Sequence, residues 1–503
     1  MSSRPFSRFV GVVLALAAPC SAFAEAPPPL PAAELTARLE RYLDAAAAEG
    51  FTGTVVVARG GEELLERGYG MADPGRDLPV SASTVFTTGS ITKQFTAAAL
   101  LALEAAGELA VGDPISKYLG EVPSDKAAIT LHHLLSHQAG FPGAIGDDRE
   151  RIGRDAFVRQ ALATPLLFAP GSGYEYSNVG FSLAAAIVEK VSGRSYEAFV
   201  RETLWLPAGM RETGYHLPQW APERHAHGQR PDGSDWGTEA SNFFTDGGPG
   251  WHLLGNGGVL STTGDMLRWH RALRGDALLS AASKAKLYAR HVDEGGGTWY
   301  GYGWSIEPTP WGEMVTHNGG NPFFFADYLR FLESDVVIYF ATSSRDRRMR
   351  RIGRPLARIV FTGEVPPFEP KPVRLSEPGS AAAPAGSAAA RWGLPGTAAG
   401  ERAGTLLDAL AAPSAAERER FAAEGFAPPV VARRGDDGLR ELLSRMRGDL
   451  GEGFRLRGFR PGEGEGLVVV LAPAGGPGPM QITLEVEPQP PHRIAGIGVQ
   501  LGE

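Results

Sequence analysis

The sequence predicts an α/β (α+β) chain. An antiparallel sheet, flanked by helices and accompanied by a helical domain, should be followed by a small C-terminal α+β domain. Three observations predict it. Strand-like apolar runs occur near residue 55 and again between 312 and 344, with a long helical stretch between them. A Pro/Ala/Ser-rich stretch without periodicity begins after residue 363. At 503 residues the chain also exceeds the roughly 250–300 residues that one core usually serves.

The elements follow in order. Arg4 and Arg8 precede the apolar run FVGVVLALAAP, and Ala22-Phe23-Ala24 fits a small-x-small cleavage site. Residues 1–24 are therefore expected to be a signal peptide, with the mature chain starting at Glu25. The apolar run is too short to anchor in a bilayer, and no other segment reads as transmembrane. The single cysteine, Cys20, lies inside this signal, and Pro19 before it argues against a lipid anchor. The mature chain then has neither disulfide nor thiol chemistry. The expected location is periplasmic or secreted. A Pro-rich leader runs to residue 31, and a helix is expected over roughly 32–49. TGTVVVARGGEELLERGYG reads as a hairpin around Gly60-Gly61. Helices should dominate from 90 to about 210, and the polar stretch 215–256 reads as loops, where binding surfaces concentrate. GEMVTHNGG, FADYLRFL and DVVIYFATSS read as an antiparallel set, so the sheet draws on both ends of the first domain. Beyond a linker over 364–396, residues 397–450 read as helical. Four short strands follow, among them MQITLEVE, which puts Met480, Ile482, Leu484 and Val486 on one face.

Composition excludes some functions. A hydrophobic fraction of 43% and a charged fraction of 21% are those of an ordinary globular chain. A net charge of −8 leaves no basic footprint for nucleic acid.

Candidate chemistry starts at TTGSITKQFT. Gly89 allows a sharp entry into a helix, which puts Ser90 at the helix N-terminus, where unpaired N–H groups favour negative charge. Lys93 lies one turn on and faces the same way, so its amine can reach Ser90 Oγ. A lysine base must be neutral, and apolar surroundings lower its pKa. The spacing alone is weak: Ser283 and Lys286 repeat it, without the glycine and among polar neighbours, as a solvated helix face. Two further elements strengthen the first copy. Tyr176-Ser177-Asn178 sits between a Pro/Gly turn and an apolar helix, where Tyr176 can shuttle a proton and Asn178 can bind Lys93 or a substrate carbonyl. Tyrosine at such a place is also a common core residue with a satisfied hydroxyl. His317, Asn318, Gly319 and Gly320 end a strand whose glycines admit close approach, and His317 taken alone would read as structural. The N–H groups of Gly320 and Ser90 can form an oxyanion hole.

Together the three elements resemble the serine β-lactamase and penicillin-binding-protein superfamily, whose signature is S-x-x-K, S/Y-x-N and K/H-x-G. The tyrosine points to the branch of class C β-lactamases, D-alanyl-D-alanine carboxypeptidases and related esterases. ITLHHLLSHQAGFP, FAPGSGYEYSN, LPAGMRETGY, GNGGVLSTTGDMLRW and YGYGW look like further segments of that family, in its order. The resemblance covers about 33–363 and implies the β-lactamase/transpeptidase-like fold for that hydrolase domain. It also implies roles. Ser90 would be the nucleophile, Lys93 the base and Tyr176 the proton relay. Asn178, His317, Asn318, Gly319 and Gly320 would bind substrate, with no cofactor and no metal. His-Asn-Gly in place of Lys-Thr-Gly weakens the grip on a β-lactam or peptide carboxylate, and NPFFF suits an apolar acyl group. His132, His133 and His137 are expected to pack in a helix, and His225 and His227 to lie in a loop. The C-terminal domain over 397–503 vaguely resembles cystatin-like folds of the nuclear transport factor type, with an unknown partner.

The expectation is thus an exported serine hydrolase acting on a small ester, a D-amino-acid peptide or a β-lactam through an acyl-enzyme on Ser90. The alternative is a non-hydrolytic penicillin-binding or cell-wall sensor of the same fold. A third possibility, a dead scaffold whose C-terminal domain does the binding, fits poorly with a serine, lysine, tyrosine and asparagine all retained.

Overall fold

A computed structural model describes residues 30–230, 232–245, 248–344, 346–368, 376–380, 383–462, 466–473 and 479–501. The expected signal peptide and Cys20 lie outside the described residues. The chain divides into two compact units, Met1–Glu369 and Pro370–Glu503.

The first unit is built on an eight-stranded sheet. Its strands are β1 (Gly53–Arg59), β2 (Glu62–Tyr69), β3 (Val292–Gly295), β4 (Thr298–Tyr300), β5 (Ser305–Thr309), β6 (Gly312–Gly320), β7 (Phe325–Phe331) and β8 (Val336–Thr342). The order across the sheet is β3-β4-β5-β6-β7-β8-β1-β2, with every neighbour antiparallel. β1 and β2 from the start of the unit thus complete a sheet whose other strands lie some 230 residues later in the sequence.

Both faces of the central strands are covered, so these strands are apolar throughout instead of alternating. Val55, Val57, Val336, Ile338 and Phe340 face one core, and Val56, Ala58, Val337, Tyr339 and Ala341 face the other. The first core is closed by α1 (Ala32–Ala48), through Leu35, Leu39 and Leu43, and by a helix at Gly353–Thr362, through Leu356, Ile359 and Val360. These positions recur at helical spacing along each helix. The second core holds the helical domain, centred on α2 (Thr92–Ala105) and α3 (Asn178–Ser192). α2 is buried on almost every side, and Phe95 lies 5.0 Å from the Trp269 ring and 5.5 Å from the Trp205 ring. Within the polar stretch 215–256 the described residues form loops with a few two- and three-residue strands, a 3₁₀ turn at Pro222–Arg224 and a short α-helix, Glu239–Phe243.

The second unit carries α4 (Ala398–Ala411), α5 (Ala415–Glu424), α6 (Pro428–Leu450) and a four-stranded antiparallel sheet. Its strands are Arg455–Pro461, Leu467–Ala472, Met480–Val486 and Ile494–Leu501. Met480, Ile482, Leu484 and Val486 are buried on one face against α4 residues such as Leu406, Leu407 and Leu410. Within the stretch read as linker, Ala388–Trp392 is a short helix whose Trp392 ring stacks on Phe454 at 5.6 Å. Alanine and one tryptophan suffice to bury it, which the Pro/Ala composition conceals.

Candidate active site

Three chain segments converge at the N-terminus of α2. Phe86–Thr87 pairs with Leu260–Ser261, which fixes the entry. Gly89 then turns at φ +51°, and a 3₁₀ turn over Gly89–Ile91 leads into α2. Only glycine fits here. A Cβ on Gly89 would stand 2.3 Å from Gly320 N, and one on Gly319 would stand 2.2 Å from Ser90 N. The end of β6 therefore lies directly against the Ser90 backbone, with the Ser90 and Gly320 amides side by side.

Lys93, on the first turn of α2, is fully buried at 0% exposure. Its Nζ stands 3.1 Å from Ser90 Oγ, 2.8 Å from Asn178 Oδ1 and 2.8 Å from Asn256 O. It also lies 4.8 Å from the centre of the Tyr176 ring. Burial holds its pKa well below the ordinary lysine value, against a weaker opposing pull from Asp148. Among the described residues no carboxylate forms an ion pair with it. Ser90 itself is half-buried.

Asn178 is the first residue of α3, whose start is capped by Ser177: its Oγ accepts from Gly180 N–H at 3.4 Å. The preceding Tyr176 hydrogen-bonds to Ser90, and burial pushes its hydroxyl pKa upward, so it is a phenol and not a phenolate. Across the site, His317 is buried in β6. Its Nε2 is 3.1 Å from Tyr300 Oη, and its Nδ1 is 2.5 Å from the Asn318 carbonyl. Burial, with repulsion from Lys93, lowers its pKa to about 3. His317 is therefore a neutral hydrogen-bonding group, not a positive one. Asn318 is exposed, Gly319 is buried and Gly320 lines the cleft.

The structure brings Ser90, Lys93, Tyr176, Asn178, His317, Gly319 and Gly320 together. Two expectations need correction. His137 does not pack in the helix, which ends at Leu135. It follows with φ +59° and lies beneath Tyr176, ring centres 4.4 Å apart, accepting Ser177 N–H on Nδ1 at 3.0 Å. His132 and His133 are in that helix. Nor does the aromatic run after Gly320 wall the cleft. Phe323 stacks on Trp236 at 4.3 Å, Phe324 packs on Phe86 at 6.4 Å, and the cleft's aromatic wall is Phe243. The second S-x-x-K copy is unlike the first: Ser283 is buried on Ser280, while Lys286 is half exposed and pairs with Glu104 at 2.6 Å.

Sequence reasoning missed Asn256, Asp148 and Glu239. Asn256 lies in the glycine-rich GNGG turn, whose composition announces a close backbone approach, and its carbonyl holds Lys93. Asp148 and Glu239 line the cleft of about 60 Å³ beside Ser90. Neither carries a local signal, because Asp148 reaches the cleft from a loop and Glu239 from the start of a separate five-residue helix. Among the described residues, no group of three or more His, Cys, Asp or Glu side chains is placed to hold a metal ion. No helix among them is long and apolar enough to cross a membrane.

The Beta-lactamase family model matches residues 37–361. The chain belongs to that family. Its relatives include serine hydrolases. Esterase EstB of Burkholderia gladioli is 32% identical over 318 residues, covering 54% of this chain and 80% of that protein. Penicillin-binding protein 4* of Bacillus subtilis is 31% identical over 340 residues, covering 62% of this chain and 73% of the relative. The octameric penicillin-binding protein homologue from Pyrococcus abyssi superposes with a TM-score of 0.55 at 20% identity, over 90% of this chain and 91% of its own. The β-lactamase/transpeptidase-like fold follows from membership, and the chain is a serine hydrolase of this family.

Proposed function

We propose that the protein is exported and cleaves a small ester or amide through an acyl-enzyme on Ser90. One observation carries this reading: a wholly buried Lys93 amine, without a counter-ion among the described residues, stands 3.1 Å from Ser90 Oγ. A neutral amine has two N–H bonds and one lone pair. Asn178 Oδ1 and Asn256 O, both at 2.8 Å, accept the two N–H bonds, which leaves the lone pair for the Ser90 hydroxyl proton.

The chemistry then follows. As Ser90 Oγ bonds to the carbonyl carbon, its proton passes to Lys93 Nζ. The carbonyl oxygen becomes negative and is held by the N–H groups of Ser90 and Gly320, aided by the helix N-terminus. Collapse breaks the bond to the leaving oxygen or nitrogen, which takes a proton relayed from Lys93 through the Tyr176 hydroxyl. Water then attacks the acyl-enzyme by the same route in reverse, releasing a carboxylic acid and restoring Ser90. Asn178 and His317 orient Lys93, Tyr176 and the substrate. Because His317 is neutral, the site lacks the cation that would grip a β-lactam or peptide carboxylate. An ester fits better than either. No cofactor enters any step.

Intact-mass measurement after incubation with a fluorophosphonate tests the nucleophile: one adduct is expected, absent in Ser90→Ala. An adduct remaining in that variant overturns the reading. Turnover of a 4-nitrophenyl ester but not of a cephalosporin supports the esterase form, whereas a penicillin adduct that never clears supports a sensor. Export rests on residues 1–24, and secreted protein whose sequence begins at Glu25 is the expected product.

A further inference from the structure

The cleft beside Ser90 is walled by two acids, Asp148 and Glu239, and Lys93, neutral at its base, is among the described residues the basic side chain that touches the nucleophile. Asp148 is half-buried, and no described group donates a hydrogen bond to it or pairs with it. Its neighbours are engaged elsewhere. Arg149 is exposed, its guanidinium lying 5.2 Å from the centre of the Phe243 ring, and His252 Nε2 is 3.0 Å from Glu150. Glu239, only 5% exposed, accepts from Thr87 Oγ1 at 3.2 Å and from Asn321 Nδ2 at 2.7 Å. Burial raises both acids and a nearby carboxylate adds to it in each, while His252, Lys93 and Arg149 pull Asp148 more weakly the other way and the bonds from Thr87 and Asn321 do so for Glu239. A carboxylate enclosed in a protein cleft without a partner is unfavourable until a cation or donor meets it. Phe243, whose ring already carries the Arg149 guanidinium, adds an aromatic wall of the kind cations favour.

We infer that the cleft selects a cationic substrate, an ester or amide whose acyl part carries an ammonium group held between Asp148, Glu239 and Phe243. The inference rests on the reading of Ser90 as nucleophile and names the substrate class of that site. The acyl side is indicated because Ser90, Asn178 and Gly320 wall the cleft with the two acids, whereas Tyr176, which serves the leaving group, does not. The neutral His317 agrees with this: the site turns away anionic substrates and leaves its unpartnered acid for a cation.

The test compares 4-nitrophenyl esters of ω-amino acids having two and five methylenes with the alkanoate esters in which CH₃ replaces NH₃⁺, and with the matching half-esters of dicarboxylic acids. Each kcat/KM is divided by the ester's own hydroxide rate. The ammonium esters are expected to lead by about tenfold, in keeping with a hydrogen bond to a charged group, and the anionic esters to trail. The lead should fall towards unity in Asp148→Asn/Glu239→Gln, with phosphonate labelling of Ser90 reporting that the site is assembled. Ser90-dependent turnover of alkanoate esters without an ammonium lead overturns the inference and leaves the nucleophile standing. A lead that survives in the double variant overturns the assignment to these two acids. Loss of all Ser90-dependent turnover removes both readings. If the double variant does not fold, n-butylammonium should inhibit turnover of the neutral ester by the wild-type protein more strongly than n-butanol or butyrate; equal inhibition overturns the inference.

Discussion

Gly319 and Ser90 are in backbone contact: a Cβ on Gly319 would stand 2.2 Å from Ser90 N and 2.5 Å from Thr88 O. Neither atom can swing aside, because both belong to the main chain. Gly319→Ala must therefore push β6 away from the turn that carries Ser90, and with it the Gly320 amide. Loss of one oxyanion donor elsewhere costs about 10²–10³ in rate. Phosphonate labelling of Ser90 in Gly319→Ala is expected to slow at least a hundredfold. Labelling at the wild-type rate would show that the contact does not set the oxyanion geometry.

Lys93 gives a prediction in which activity and stability move in opposite directions. Removing the amine removes the general base, so Lys93→Met should lose about 10²–10⁴ in acylation rate. The same change should stabilise the fold. The folded-state pKa of Lys93 lies well below its unfolded value near 10.4. Between these two values the unfolded chain binds the proton and the folded chain does not, so this site's contribution to stability falls as pH falls. Urea midpoints of Lys93→Met should exceed those of the wild type at pH 7, with the gap widening from pH 10 downward. A less stable variant would mean that the amine is charged and satisfied.

Much of this site was legible in the sequence. Ser90, Lys93, Tyr176 and Asn178 stand out because two short motifs carry them, and helix geometry places i and i+3 on one face. The two-ended sheet was legible because buried strands read as apolar runs. Asp148 and Glu239 were not, since an acid in a loop or at the start of a short helix looks like any solvated acid until the fold closes around it. His137 read as helix packing because SHQAG continues an apolar helix, yet the backbone turns left-handed at that residue and puts the ring under Tyr176. The aromatic run after Gly320 misled for a related reason: Trp236, from a distant loop, supplies its stacking partner.

Glu239 is the second buried group whose titration should be visible. Burial raises its pKa from the ordinary glutamate value of 4.5 to about 8. Between those values the folded chain holds a proton that the unfolded chain has released, so stability falls as pH rises, by about 1.4 kcal/mol per pH unit. Glu239→Gln can still accept from Asn321 Nδ2 and can donate to Thr87 Oγ1 in place of accepting from it, without the titration. The stability difference between variant and wild type should grow from pH 5 to pH 8 and level off above it. Parallel curves across that range would place the Glu239 pKa near that of an ordinary carboxylate.

His317 reverses that sign. Its pKa is lowered to about 3, by burial and by Lys93, whereas in the unfolded chain it titrates near 6.5. From pH 6.5 down to about 3 the unfolded chain takes up a proton that the folded chain refuses, so stability is lost as pH falls, again by about 1.4 kcal/mol per unit. Other buried histidines such as His270, also lowered to about 3, add to this slope, so the difference between wild type and a variant isolates His317. His317→Gln cannot charge and retains a donor and an acceptor for Tyr300 and the Asn318 carbonyl. Its urea midpoint should fall less steeply than that of the wild type between pH 6.5 and 4. Ester turnover at pH 7 should keep its kcat dependence on pH, because the group replaced is already neutral there. An equal acid slope in both proteins would mean that His317 is protonated in the fold, and the site would then hold the positive charge that an anionic substrate needs.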